Sequence, residues 1–186
     1  MDENVFERQI EFIQVAQEFI PNGLHYGYAE LAMMDYAFHH SELLKKSKFI
    51  IKVTGRLTFL KLSALIKAIP INTVFLADSR DYKFCKFEKH YLITTLIIYE
   101  RQFYGEVLLN LKSKMRPHIY SHFETLYFQE LKPLSISDSR IILRFPFNVY
   151  PSGFGAHSNK NYNSFSYELK NIFRGTMRQL FPKFKI

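Results

Sequence analysis

The densest group of residues that could bind an anionic ligand stands at the end of a short apolar run. Residues 49–53 form that run, and around its end stand Lys52, Thr54, Gly55 and Arg56. A glycine lets a ligand approach the backbone closely, while a hydroxyl and two cations can hold a diphosphate or a carboxylate. The alternative is a simple turn at Gly55, with both cations extending into water. These residues alone leave both interpretations open.

A second polar group follows the apolar run at residues 73–77. The carboxylates of Asp78 and Asp81 could bind a divalent cation through their oxygens. Arg80 stands between them in the sequence and would neutralise one of the two charges. An ion pair of Asp78 with Arg80 or with Arg56 is therefore favoured over a metal site.

Three glutamates could take a proton from a hydroxyl group. Glu124 lies in an aromatic-rich segment, residues 120–131, that is predicted to be helical. A carboxylate that faces a cleft there could act as a general base. Glu30 and Glu106 raise the same question. For each of them the alternative is an ordinary side chain in water.

Composition limits the classes of protein to consider. The chain has 186 residues, 47% of them hydrophobic and 23% charged, which is typical of a globular protein. One cysteine excludes an intrachain disulfide. The net charge of +8 favours partners that carry phosphate, whether nucleic acid, a membrane face or a nucleotide-linked substrate. Hydrolase, Walker and dinucleotide-binding motifs are missing, and so are those of the common nucleic-acid modules.

Periodicity predicts a single α/β domain over residues 1–186. In an open sheet of this class the ligand lies beyond the carboxyl ends of the strands. Residues 54–56 and 78–80 should therefore lie near the site. The predicted helices are 4–20, 28–38, 61–68, 103–111 and 120–131, and the predicted strands are 49–53, 73–77, 91–99 and 141–145.

The sequence predicts a basic amphipathic helix over the C-terminal segment, residues 168–186. Its apolar residues recur at helical spacing, and no acidic residue follows Glu168. Such a helix can lie on an anionic membrane surface. The alternative is that the apolar stripe packs on the sheet while the cations face water. The five cations are Lys170, Arg174, Arg178, Lys183 and Lys185.

Several of these segments together resemble bacterial surface-polysaccharide glycosyltransferases, the enzymes of capsule and lipopolysaccharide synthesis. Their signature has a Gly-x-x-Glu helix start, matched by Gly27 and Glu30, and a strand that reads roughly I-K-I-T-G-R, matched by residues 50–56. The later segments 78–80 and 124–127, with the glycine-containing loop at 152–155, are similar too. The likeness extends over residues 23–155.

The resemblance implies a GT-A-like, Rossmann-related open sheet with flanking helices. Because no apolar strand precedes Gly27, we expect this fold to be incomplete at the N-terminus. The implied activity is sugar transfer from a nucleotide-sugar donor to a glycan or lipid-linked acceptor. We expect a cytoplasmic protein that attaches peripherally to the inner face of the plasma membrane. The alternatives are an inactive, truncated relative and a basic nucleic-acid-binding domain.

The resemblance also implies roles for single residues. Lys52 and Arg56 would hold the donor diphosphate in place of a metal ion, with no cofactor required. Glu124 would be the catalytic base, beside Asp78 at the catalytic centre. Asp78 and Arg80 would order the sugar or the loop. The remaining donor-side residues are Gly27, Glu30, Thr54 and Gly55.

Overall fold

The structure is a computed structural model that describes residues 8–16, 19–55, 57–81, 90–118, 121–155 and 161–180. The helices in these ranges are α1 (Gly27–His40), α2 (Glu42–Lys46), α3 (Leu62–Ala68), α4 (Arg101–Phe103), α5 (Phe123–Ser137) and α6 (Phe165–Leu180). The strands are β1 (Phe49–Val53), β2 (Leu57–Thr58), β3 (Phe75–Asp81), β4 (His90–Glu100), β5 (Ile141–Ile142) and β6 (Ser152–Gly153). Within these ranges, no helix is long and apolar enough to cross a membrane.

The main sheet is open and has four strands in the order β1-β4-β3-β5. β4 runs antiparallel to β1 and to β3, while β3 and β5 are parallel. β1, β3 and β5 therefore all point in one direction, and their carboxyl ends share one edge with the amino end of β4. We call this the carboxyl edge. The chain is thus of mixed α/β class, with an open sheet and flanking helices.

Two hydrophobic clusters cover the two faces of the sheet, because successive side chains of a strand point to opposite faces. Phe75 and Ala77 belong to the larger cluster, which α1 and α5 complete. Leu76, between them, belongs to the smaller cluster with Leu65 of α3 and Phe145.

β4 departs from regular pairing next to that edge. Ala77 pairs with Ile97, but the next residue, Asp78, pairs with Ile93, so residues 94–96 of β4 are unmatched on this side. Irregularities of this kind re-aim side chains and often lie next to functional sites. Here the unmatched residues of β4 form part of the wall of the cavities described below.

The predicted helix over residues 4–20 is wrong where the structure describes it. Residues 8–16 have no helical structure. Glu11 instead binds the start of α2, where its carboxylate accepts hydrogen bonds from the Ser41 hydroxyl at 2.5 Å and from two backbone amides at 2.9 and 3.2 Å. A carboxylate satisfies the unpaired amides of a helix start well, and this tertiary contact replaces the local helix.

Other predicted elements are confirmed with altered ends. α1, β1, α3 and β4 lie where the periodicity placed them. The strand predicted to end at residue 77 continues to Asp81, so Asp78 and Arg80 belong to β3 and not to a loop. The strand predicted over 141–145 ends at Ile142. The helix predicted over 103–111 is a short α-turn followed by a π-helical turn, Tyr104–Leu108.

Candidate functional site

Two adjoining cavities open at the carboxyl edge. The first, the β1 cavity, has a volume of about 320 Å³ and lies beside the end of β1. The second, the β3 cavity, has a volume of about 240 Å³ and lies between β3 and α6. Both are bordered by Thr94, Thr95, Glu124 and Tyr162, which form their shared wall. Residues after β1 border the first cavity and residues of β3 border the second, so the two predicted groups lie at adjoining cavities. That they form one site stays a prediction.

Glu124 lies in the first turn of α5 and borders both cavities. A carboxylate near a helix N-terminus interacts favourably with the helix dipole. Its neighbour Phe123 is fully buried and fixes this turn against the core. Tyr26 borders the β1 cavity as well, and its pKa is raised by burial and then by the charges of Glu124 and Glu30. The charges of both carboxylates therefore raise the pKa of the same phenol.

Lys52 is held by three oxygen partners. Its ammonium forms an ion pair with Glu30 and donates to the carbonyl of Thr94 at 2.5 Å and to the hydroxyl of Thr54 at 3.1 Å. It also lies 5.7 Å from the ring of Phe123. In this arrangement Lys52 ties α1 to β1 and β4, and its charge is offset by Glu30. The predicted diphosphate contact of Lys52 stays a prediction.

Thr54 and Gly55 border the β1 cavity as expected. A Cβ built on Gly55 would meet nothing within 4 Å, so no close backbone contact within the protein requires a glycine here. The space beside it belongs to the cavity and is open to a ligand. Arg56, the second predicted diphosphate ligand, lies outside the described residues.

Gly27 has a packing role that the sequence did not indicate. A Cβ at this position would stand 2.6 Å from Cβ of Phe123 and 3.1 Å from its backbone nitrogen. The glycine therefore lets the start of α1 approach the start of α5. Because Glu30 and Glu124 lie in the first turns of these two helices, the close approach brings both carboxylates to the β1 cavity.

We expect Gly27→Ala to destabilise the protein by about 1–3 kcal/mol, the usual cost of overpacking a well-packed contact. Urea denaturation followed by circular dichroism measures this loss. Gly175→Ala is the matched control, since a Cβ there would meet its nearest neighbour at an ordinary 3.8 Å. A Gly27→Ala protein as stable as the Gly175→Ala protein would contradict this packing role.

Asp78 is paired with a residue that the sequence analysis did not consider. It is buried, and Arg178 of α6 binds both of its carboxylate oxygens. Nη1 of Arg178 donates to Oδ2 at 2.8 Å, and Nη2 donates to Oδ1. The backbone amide of Phe145 also donates to Oδ1 at 3.3 Å. Arg80 lies at 4.0 Å and is the secondary partner. The prediction of Arg80 or Arg56 as the main partner is therefore corrected to Arg178.

The β3 cavity has charged groups of both signs. Asp78, Arg80, Glu124 and Arg174 border it, and Arg178 is paired with Asp78 beside it, so three guanidinium groups stand with two carboxylates. Tyr167 lies close to both lining arginines. Burial raises the pKa of its phenol, and the charges of Arg174 and Arg80 act in the opposite direction. This charge distribution suits an anionic ligand.

Asn171 of α6 is a further residue that the sequence analysis missed. It borders the β3 cavity and is 3% exposed, and its Nδ2 has no hydrogen-bond partner among the described residues. A buried donor without a partner is costly and is available to a ligand. The signal was present in the sequence, because Tyr167, Asn171, Arg174 and Arg178 recur at helical spacing as a polar stripe.

The described residues contain no group of three His, Cys, Asp or Glu side chains that could hold a metal ion. The side chain of Asp81, which the sequence placed in a candidate metal pair, is not described. The expectation of a site without metal stays a prediction. Comparisons of this chain with family models, with curated proteins and with solved structures find no match.

Proposed function

We propose that this protein is a glycosyltransferase that moves a sugar from a nucleotide-sugar donor to a hydroxyl of a glycan or lipid-linked acceptor. The observation that carries the proposal is the position of Glu124, on the wall shared by the β3 cavity, which two arginines border, and the β1 cavity, which Glu30 borders. The first suits a diphosphate, and the second suits a sugar, because carboxylates accept hydrogen bonds from hydroxyl groups.

The donor binds with its diphosphate in the β3 cavity and not at Lys52, because the charge of Lys52 is offset by Glu30. Arg80 and Arg174 offer guanidinium groups that can bind phosphate oxygens in bidentate fashion. The buried amide of Asn171 adds a neutral donor. Tyr91, Tyr162 and Tyr167 supply aromatic surface beside these groups for the rest of the nucleotide.

The acceptor enters through the β1 cavity, where Glu124 removes the proton from its hydroxyl group. The acceptor oxygen forms a bond to the anomeric carbon of the donor sugar. The bond from that carbon to the phosphate oxygen breaks, and the diphosphate leaves with the electron pair. The arginines of the β3 cavity stabilise this leaving charge, which is the task that a divalent metal performs in other sites.

A GT-A-like fold is part of the proposal. It is supported by the open α/β sheet, in which three of the four strands share one direction. The position of the cavities at the carboxyl edge of those strands agrees with the general rule for ligands of open α/β sheets.

Nucleotide binding provides the test. We expect one of the UDP-, GDP- and CMP-sugars, or its free nucleotide, to raise the melting temperature by about 5–11 °C at 100 times its Kd, with chelator present. Arg174→Gln should abolish the shift because it removes a phosphate ligand. Lys170→Gln, one turn earlier on α6 and exposed, is the matched control. A shift that needs Mn²⁺ would contradict the metal-independent site, and no shift with any donor would contradict the transferase.

A further inference from the structure

α6 packs against the rest of the protein with its polar side. Its buried residues are Asn171 and Arg178, whereas its large apolar residues face outward. Ile172 is 66% exposed and Phe173 is 62% exposed. The alternative in which the apolar stripe packs on the sheet is therefore wrong for this structure. The exposed residues, which we call the apolar stripe, are Phe165, Leu169, Ile172, Phe173 and Leu180.

Directional polar contacts fix this orientation. Arg178 is bonded to Asp78 of β3, as described above, and its backbone carbonyl accepts from Nη2 of Arg144 at 3.1 Å. The backbone carbonyl of Asn171 accepts from Nδ2 of Asn148 at 2.8 Å. Rotation of the helix to bury the stripe would break the pair with Asp78 and leave a buried charge unpaired, which is strongly unfavourable. The stripe is therefore kept outward.

A continuous stripe of large apolar side chains on a water-facing helix marks an interaction surface. Charge identifies the partner. Lys170 flanks the stripe, Lys183 and Lys185 follow in the sequence, and no acidic residue stands after Glu168. A second copy of this chain, also with a net charge of +8, would bring like charges together. An anionic lipid surface complements both the charge and the apolar side chains.

We infer that α6 is an interfacial helix that docks this protein on an anionic membrane, with the apolar stripe inserted below the headgroups. The opposite side of the same helix supplies Tyr167, Asn171 and Arg174 to the β3 cavity. Docking therefore places the cavity beside the bilayer. If the proposed function holds, this position gives access to a lipid-linked acceptor.

Vesicle co-sedimentation tests the docking. We expect the protein to bind vesicles of equal parts phosphatidylglycerol and phosphatidylcholine at least about tenfold more tightly than pure phosphatidylcholine, and to lose binding in high salt. The double variant Ile172→Asn, Phe173→Asn should bind at least about tenfold more weakly because it removes two inserted side chains. The matched control is Leu60→Asn, Ile71→Asn, which changes two apolar residues elsewhere that are even more exposed and should bind normally.

The chain contains no tryptophan, so a single one can report insertion. Phe173→Trp should shift its emission to the blue with phosphatidylglycerol vesicles. Phe12→Trp is the control. Phe12 is exposed and follows Glu11, which is hydrogen-bonded to α2, so the emission of a tryptophan there should not shift. Equal binding of the stripe variant and the wild type, no blue shift, or an oligomer that the stripe variant dissociates would each overturn the inference. Vesicle binding and nucleotide binding are measured separately, so either proposal can fail alone.

Discussion

Asp78→Ala should lower the free energy of unfolding by about 3–5 kcal/mol, the usual cost of removing one partner of a buried ion pair. The variant leaves the guanidinium of Arg178, which is 6% exposed, without its carboxylate. It also removes the acceptor of the Phe145 amide. Urea denaturation followed by circular dichroism measures the loss.

Two further variants show whether the pair is the cause. Asp78→Leu combined with Arg178→Met replaces both charges by apolar side chains and should recover most of the stability, since the buried guanidinium of Arg178 is removed together with its carboxylate. Asp138→Ala breaks an exposed pair with Arg140, 2.8 Å apart, and should change stability little because water screens such pairs. If Asp78→Ala cost no more than Asp138→Ala, the buried pair would not be the anchor of α6.

Local patterns in the sequence were enough to place the elements that bury one face or one stripe. β4 is rich in apolar and β-branched residues, a composition typical of a buried strand, and the sequence identified it on that basis. Ser41 is of a residue type that often caps helices, and its hydroxyl accepts from the amide of Leu44 at 3.0 Å at the start of α2. The predicted helix at the N-terminus failed where a distant contact, Glu11 with the start of α2, replaced local hydrogen bonds.

The candidate site was only partly predictable, because the order of the strands in the sheet cannot be inferred from local periodicity. Thr54, Gly55 and Asp78 were expected at one edge, and they lie there because β4 runs antiparallel between β1 and β3. The contribution of α6 could not be placed. Its anchor joins Asp78 to Arg178 across 100 residues of sequence, and no local pattern predicts such a pairing.

Glu124→Gln should reduce sugar transfer by about 10²–10⁴-fold, the contribution of a well-placed general base. The amide keeps the size of the side chain but cannot take the proton of the acceptor hydroxyl. Binding of the nucleotide should be retained, because the proposed phosphate ligands are Arg80 and Arg174 and not Glu124. The measurement is the rate of nucleotide release with the donor that gives the thermal shift, together with that shift itself.

Two other glutamates serve as comparisons for this result. Glu106→Gln is the matched control, since Glu106 is exposed on the π-helical turn and accepts from Gln102 at 2.8 Å, so the rate should not change. Glu30→Gln removes the ion-pair partner of Lys52 and should weaken stability as well as rate. If Glu30→Gln abolished transfer while Glu124→Gln kept it, Glu30 would be the base. A Glu124→Gln protein with full activity would refute the assignment of Glu124 as the general base, because transfer would then proceed without a proton acceptor at that position.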